Sequence, residues 1–297
     1  YNAGANRKIK KLFNEYRPDH VYCQLVRTAE FGVHLPAPKT LDYQDVFSYG
    51  VKRRVERSSY WMKPVLKLEY KRLVAYEKKM FLAFDNKTII SYPDRNLMQV
   101  SEKDKIAVIP NGVDHTFFKP MVKTKQYDLV FTGNMSYPPN VDAAGFLVHY
   151  IMPLVWKKLP ETTVMLAGAK PSAKVKSLES SKVKVSGWLD DIRDAYSAAK
   201  VFIAPMRIGT GLQNKLLEAM AMKIPAITTP LANDALRAAH EKEILIGNSA
   251  RELADHIVRL LTDDKFANDI AEKGYHFVHK HYSWDEATEK LEEIMKG

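Results

Sequence analysis

From about residue 128 onward, the chain alternates short apolar runs with longer stretches in which apolar residues return every three or four positions. The first pattern suits strands covered on both faces and the second suits helices with one apolar side. Their alternation predicts βαβ units around a parallel sheet. Strands are expected at 128–132, 163–167, 183–186, 201–204, 225–228 and 244–246. Helices are expected near 141–158, 173–180, 192–199, 212–222, 231–240, 250–261 and 265–279. Ser283-Trp284-Asp285-Glu286 has the Ser-x-x-Glu form of a capping box and opens a last helix to residue 295.

The first 120 residues repeat this pattern more sparsely, with strands expected at 20–23, 39–42, 87–91 and 106–109 and helices near 6–16, 46–57, 65–84 and 94–100. Pro110-Asn111-Gly112-Val113-Asp114 through Pro120 reads as a turn and linker. The expected fold is α/β, with two Rossmann-like doubly wound domains. Residues 1–120 form an N-terminal domain with its linker, 121–282 a C-terminal domain, and 283–297 a helix that crosses back to the first. A Rossmann-type half begins with a strand, a glycine-rich turn and a helix. None precedes Tyr1, so the first domain is expected to be incomplete.

Composition narrows the class. A 297-residue chain that is 46% hydrophobic can bury two cores, which excludes a disordered protein. Cys23 is the single cysteine, so no intramolecular disulfide can form, and a cytoplasmic setting is favoured. The longest apolar runs fall far short of the roughly 18 to 20 residues that span a bilayer. The start lacks the basic-then-apolar order of a secretory signal and reads as a cut boundary.

Charge is uneven. The net +10 sits mostly in residues 1–120, which hold 22 Lys/Arg against 13 Asp/Glu. Lys52, Arg53, Arg54, Arg57, Lys63, Lys67, Lys71, Arg72, Lys78 and Lys79 interleave with Tyr60, Trp61, Tyr70 and Tyr76. Residues 52–79 are therefore a candidate for peripheral contact with anionic membrane. The plainer alternative is a solvated helix whose stripe of Val65, Leu66, Leu68, Leu73 and Phe81 packs inward. No nucleic-acid partner is expected.

Candidate chemistry concentrates in the run from Ala204 to Ala221, which follows a strand and opens a helix. Gly209, Thr210 and Gly211 let a ligand approach the backbone, and the free amides of the helix's first turn suit a diphosphate. Arg207 and Lys215 can add positive charge to that pocket. Glu218, three residues beyond Lys215, can accept hydrogen bonds from a ribose diol or serve as an ordinary solvated helix residue. Gly209-Thr210-Gly211-Leu212-Gln213-Asn214 falls one glycine short of Gly-x-Gly-x-x-Gly, and the next strand ends in Thr228-Thr229-Pro230 without an acid, so a nicotinamide dinucleotide is disfavoured. No Walker-type motif and no metal-binding Asp-x-Asp occurs, so neither a cofactor nor an obligatory divalent cation is expected.

The run Arg207–221, continuing through Pro225-Ala226-Ile227-Thr228-Thr229-Pro230, resembles the donor-site signature of family 4 glycosyltransferases, which are retaining enzymes of the GT-B fold. Similar in order are Phe131-Thr132-Gly133-Asn134-Met135-Ser136-Tyr137-Pro138-Pro139-Asn140, Ser186-Gly187-Trp188-Leu189-Asp190-Asp191, Ile109-Pro110-Asn111-Gly112-Val113-Asp114 and Tyr282-Ser283-Trp284. The resemblance spans nearly the whole chain. It implies that residues 1–120 are the acceptor side, that 121–282 bind a nucleotide sugar, and that roughly a hundred residues precede Tyr1.

Residue by residue, the resemblance implies that Glu218, the second glutamate of a Glu-x7-Glu motif, holds the nucleotide ribose. Gly211 and Leu212 would touch the diphosphate and sugar through their amides, Gly187, Trp188 and Leu189 would border the base, and Gly133 would line the turn facing the cleft. Two positions depart from the pattern. Thr210 stands where the first glutamate falls, and Asn134 and approximately Pro139 replace an Arg and Lys that hold phosphates. Arg207 and Lys215 are the candidates to take over that charge. Glu218 and Lys215 are the best candidates for donor activation, and no catalytic nucleophile is assigned.

Other features have plainer readings. His276, His279 and His281 belong to an amphipathic helix end, with no acid or cysteine to complete a metal site. Met206, Met220 and Met222 read as core filling. Asp42 and Asp45 flank Gln44, where the family often has a histidine, and Asp45 is equally a helix N-cap candidate. Asn111 reads equally as a turn residue.

The implied function is transfer of a hexose from a nucleoside diphosphate sugar of UDP or GDP type to a sugar or lipid-linked acceptor hydroxyl. The resemblance implies retention, a setting in cell-surface polysaccharide or glycoconjugate synthesis, and a location in the cytoplasm or at the inner membrane face. A sugar-nucleotide epimerase of the same plan and a non-catalytic nucleotide or polyanion binder are the alternatives.

Overall fold

The computed structural model describes residues 2–209 and 211–296. The chain divides into two compact units, Tyr1–Pro110 with Asp285–Gly297, and Asn111–Trp284.

The first unit has four parallel strands in sequential order: β1 Val21–Gln24, β2 Lys39–Asp42, β3 Asn86–Ile89 and β4 Ala107–Val108. Its core gathers Leu41, Ile89, Met80, Phe84 and Ile106. Helices Phe47–Arg57 and Lys63–Ala83 pack as a hairpin. Between them lies buried Glu77, which accepts from the Ser48 backbone N–H at 2.8 Å and the Ser48 hydroxyl at 2.6 Å. The final helix, Trp284–Lys296, belongs to this unit from Asp285 onward, and the Asn86 side chain donates to the carbonyl of Ile294 at 2.8 Å.

Two expectations change here. In the long helix, Leu66 and Phe81 are buried, but Val65 is 59% and Leu68 51% exposed. Helical geometry explains it: at 100° per residue, 65 and 68 point well away from the side shared by 66, 73, 77 and 80. Asp45 does not cap the helix that follows it. The N-cap position is Val46, with no side-chain cap hydrogen bond.

The second unit holds six parallel strands in the order β10-β9-β8-β5-β6-β7. These are β5 Tyr127–Thr132, β6 Val164–Ala167, β7 Val183–Gly187, β8 Ala199–Ala204, β9 Ala226–Thr228 and β10 Leu245–Ile246. The inner strands are apolar on both faces because helices cover both sides: Leu129, Val130, Phe131, Leu166, Phe202 and Ile203 are fully buried. The helix expected over 141–158 starts earlier, at Pro138, and is interrupted by a wide turn over Leu147–Ile151 before Met152–Trp156. Pro138 suits a first helical turn, where its missing N–H costs nothing. Pro153 cannot donate back along a regular helix, and the turn before it widens accordingly.

The linker and the end of this unit meet. The Val113 N–H donates to the Tyr282 carbonyl at 2.9 Å, and Val113 bridges Ser283. A Cβ on Gly112 would stand 2.5 Å from the Trp284 nitrogen, so this approach requires glycine.

Candidate functional site

The sheet order creates the site. From β5 the chain winds to β6 and β7 on one side, then returns to place β8 against the other edge of β5. The turns after β5 and β8 therefore diverge, leaving a crevice at the carboxyl ends of the strands. A cavity of about 540 Å³ opens there. Its walls are the turn after β5 with Gly133 and Asn134, Gly168 and Ala169 after β6, Trp188 to Asp190 after β7, and the start of helix Asn214–Ala221 with Leu212, Lys215 and Glu218.

Close backbone packing shapes the floor. Gly168, at φ +135°, lies so near the β5 turn that a Cβ would stand 2.0 Å from the Gly133 carbonyl oxygen. Gly209 and Gly211 also have positive φ, at +141° and +73°, a backbone region that favours glycine.

Two polar couplings face the cavity. Glu218 Oε2 accepts the phenolic proton of fully buried Tyr196 at 2.6 Å, and Tyr196 Oη lies 2.8 Å from Thr132 Oγ1. Because the tyrosine proton is committed to the carboxylate, the threonine hydroxyl is the donor in the second bond. Burial pushes the Glu218 carboxyl above its ordinary range, while the Tyr196 bond and the nearby Lys215 charge pull it back. Lys215 Nζ donates to Asn140 Oδ1 at 2.6 Å and lies 5.0 Å from the centre of the Phe131 ring. Burial lowers its pKa to about 8, opposed by Glu218. Asn140 is itself fixed, donating through Nδ2 to the Asn134 carbonyl at 3.0 Å.

At the helix start, the N-cap Gln213 makes no side-chain cap hydrogen bond. The first-turn amides and the Lys215 ammonium thus converge on one cavity wall, an arrangement that favours an anion.

Of the residues expected from sequence, Gly133, Asn134, Trp188, Leu189, Leu212, Lys215 and Glu218 meet on the cavity walls. Gly187 takes φ +71° at the end of β7, and its carbonyl receives the Gly168 N–H at 3.1 Å. Arg207 is turned to another use: it forms a bidentate ion pair with Asp142, at 2.7 and 3.1 Å, and its guanidinium stacks 4.4 Å from the Phe146 ring. Thr210 lies outside the described residues. Among the described residues no group of three or more His, Cys, Asp or Glu is placed to hold a metal. His279 stacks on His115, with ring centres 3.8 Å apart.

Sequence reasoning missed Tyr196, Thr132, Asn140 and Gly168. Tyr196 falls within the helix expected near 192–199 and Thr132 at the end of the strand expected at 128–132, with no local spacing that marks either. The signals available were Ala167-Gly168-Ala169 directly after a strand and Asn140 one helix turn past the β5 turn.

Comparison with known proteins follows this geometry. Residues 126–263, which include the cavity-lining residues from Thr132 to Glu218, match the model of a family described as glycosyl transferases group 1. A glycosyltransferase from Rickettsia africae ESF-5 superposes with a TM-score of 0.73 at 18% identity, covering 98% of this chain and 79% of that one. Sucrose-phosphate synthase from Thermosynechococcus elongatus superposes with a TM-score of 0.75 at 17% identity, covering 98% and 76%. Anabaena HepE, solved in complex with UDP and glucose, gives 0.74 at 13% identity, covering 97% and 81%. The fold is thus GT-B, with parallel α/β units of Rossmann type. In sequence, an uncharacterised 44.6 kDa protein of the cps region of Klebsiella pneumoniae is 21% identical over 179 residues, or 57% of this chain. That match spans 46% of the relative's length. These matches together support a glycosyltransferase of the group 1 type.

Proposed function

We propose that this chain transfers a hexose from a nucleoside diphosphate sugar, of UDP or GDP type, to a hydroxyl of a sugar or lipid-linked acceptor. The observation that carries the reading is the convergence of Glu218, Lys215 and uncapped helix amides on one cavity at the β5 switch point. Glu218, oriented by Tyr196, has a second carboxylate oxygen for the ribose diol. Lys215 and the helix amides offset the charge that grows on the diphosphate as its bond to the sugar breaks, which supports metal-independent transfer. Trp188 and Leu189 border the base, and Gly133, Asn134, Gly211 and Leu212 the diphosphate and sugar. Arg207 acts indirectly, bracing the helix after β5 through Asp142.

HepE has been solved in complex with UDP and with UDP-glucose, which favours a UDP-type donor here. Retention of anomeric configuration follows from the family resemblance. The Klebsiella relative, from a cps region, favours a role in surface polysaccharide synthesis. The test is transfer of radiolabelled sugar from UDP- and GDP-hexoses to sugar and lipid-linked acceptors, with and without chelator. Chelator-resistant transfer that Glu218→Ala abolishes is the expected result.

A further inference from the structure

The helical hairpin of the first unit ends in an unusual tip. Between helices Phe47–Arg57 and Lys63–Ala83, a single turn of 3₁₀ helix, Tyr60–Met62, presents Tyr60 at 79%, Trp61 at 84% and Met62 at 47% exposure. Tyr60 and Trp61 pack edge to face, with ring centres 5.9 Å apart, so the two rings form one projecting body. The exposed surface continues down the second helix. Residues 61, 65, 68 and 72 recur at spacings of four, three and four, and place Trp61, Val65, Leu68 and the stem of Arg72 along one line. This line is separate from the buried side of the same helix, where Leu66, Glu77, Met80 and Phe81 pack inward. The helix therefore carries two apolar stripes, and the second faces outward.

The charge around this stripe says what covers it. Residues 47–72 hold eight Lys/Arg against two Asp/Glu, Glu56 and Glu69. Arg72 lies on the apolar line and Lys71 borders it, Lys67 is exposed one helical turn before Lys71 on the adjoining face, and Lys52 and Arg54 are exposed on the first helix. Aromatic rings, aliphatic side chains and flanking cations match the three layers of an anionic lipid surface: the interfacial zone, the upper acyl chains and the phosphate headgroups.

We propose that the hairpin tip Tyr60–Met62 and the stripe through Val65 and Leu68 dock this chain on an anionic lipid bilayer, with Trp61 inserted at the interface and Lys67 and Lys71 on the headgroups. The inference rests on surface geometry and charge and does not depend on the sugar-transfer reading. It specifies where and how the contact is made, down to the residue that enters the lipid.

The test is sedimentation of the whole chain with phosphatidylcholine vesicles, with and without phosphatidylglycerol, in low and high salt. Fluorescence is followed at the same time, using lipids brominated on the acyl chains as quenchers. Binding is expected only with phosphatidylglycerol, weakened by salt and accompanied by quenching. Trp61→Ser should remove the quenching, and Lys67→Gln with Lys71→Gln should lower partitioning by about thirtyfold, at roughly one kcal/mol per cation. Both variants alter exposed side chains, and unchanged thermal unfolding shows that they fold. Absence of vesicle binding, binding unaffected by Trp61→Ser, or a self-associated chain that Trp61→Ser turns monomeric would each overturn the proposal.

Discussion

The Lys215 ammonium donates to Asn140 Oδ1 at 2.6 Å, joining the helix after β8 to the helix after β5 across the cavity wall. The resemblance implies a phosphate-holding cation near the β5 turn; here the helix after that turn supplies an amide acceptor, and the cation comes from the facing helix. Because burial lowers the Lys215 pKa to about 8, its ammonium is mostly charged at pH 7 and is lost as pH rises through about 8. Nucleoside diphosphate affinity should therefore be highest below about pH 7 and fall as pH rises through about 8. Titrations from pH 7 to 9.5 check this: Lys215→Arg should flatten the decline, and Lys215→Met should weaken binding most at pH 7 and least at pH 9.5.

Tyr196→Phe removes the donor to Glu218 and leaves a shape of nearly the same size. Stability should drop by about 1 to 2 kcal/mol, since a buried carboxylate and the Thr132 hydroxyl lose a partner. The finer expectation concerns pH. The Tyr196 bond holds the Glu218 carboxyl down against burial, so its loss raises that pKa further, and a protonated carboxyl is a poorer acceptor for ribose hydroxyls. Affinity in the variant should fall on acidification at a higher pH than in the parent chain, as calorimetry from pH 5.5 to 7.5 would show.

Gly168→Ala places a methyl group 2.0 Å from the Gly133 carbonyl at a φ of +135°. The two turns must separate, with a loss of about 3 kcal/mol from overpacking and backbone strain together. Urea unfolding should show a lower midpoint, and nucleotide binding should weaken with it because both turns line the cavity. Gly145→Ala is the control, since a Cβ there meets nothing within 4 Å.

Most of the fold was legible because strands buried on both faces read as unbroken apolar runs, and each of the ten strands lies within two residues of its expected position. The interruption at Leu147–Ile151 was missed because the apolar period continues through Pro153, although the backbone ladder does not. In the site, residues on the glycine turns and on one helix were legible from local spacing. Tyr196 and Asn140 were not, because their roles come from contacts 22 and 75 residues away, with Glu218 and Lys215. Arg207 was assigned to the phosphates by proximity in sequence, while in the structure Asp142, 65 residues away, claims its guanidinium. The outward stripe of the long helix was hidden for a related reason, since hydrophobicity alone does not say which of two apolar sides is covered.

The central claim is that this cavity holds a nucleoside diphosphate through Glu218, Lys215 and helix amides. The most direct measurement is calorimetric titration of the chain with UDP, GDP and ADP, with and without magnesium, beside Glu218→Ala. The account predicts magnesium-independent binding of UDP or GDP in preference to ADP, weakened at least about tenfold in the variant, the cost of losing hydrogen bonds to a charged group. Absence of nucleotide binding, or binding that Glu218→Ala leaves unchanged, would contradict it.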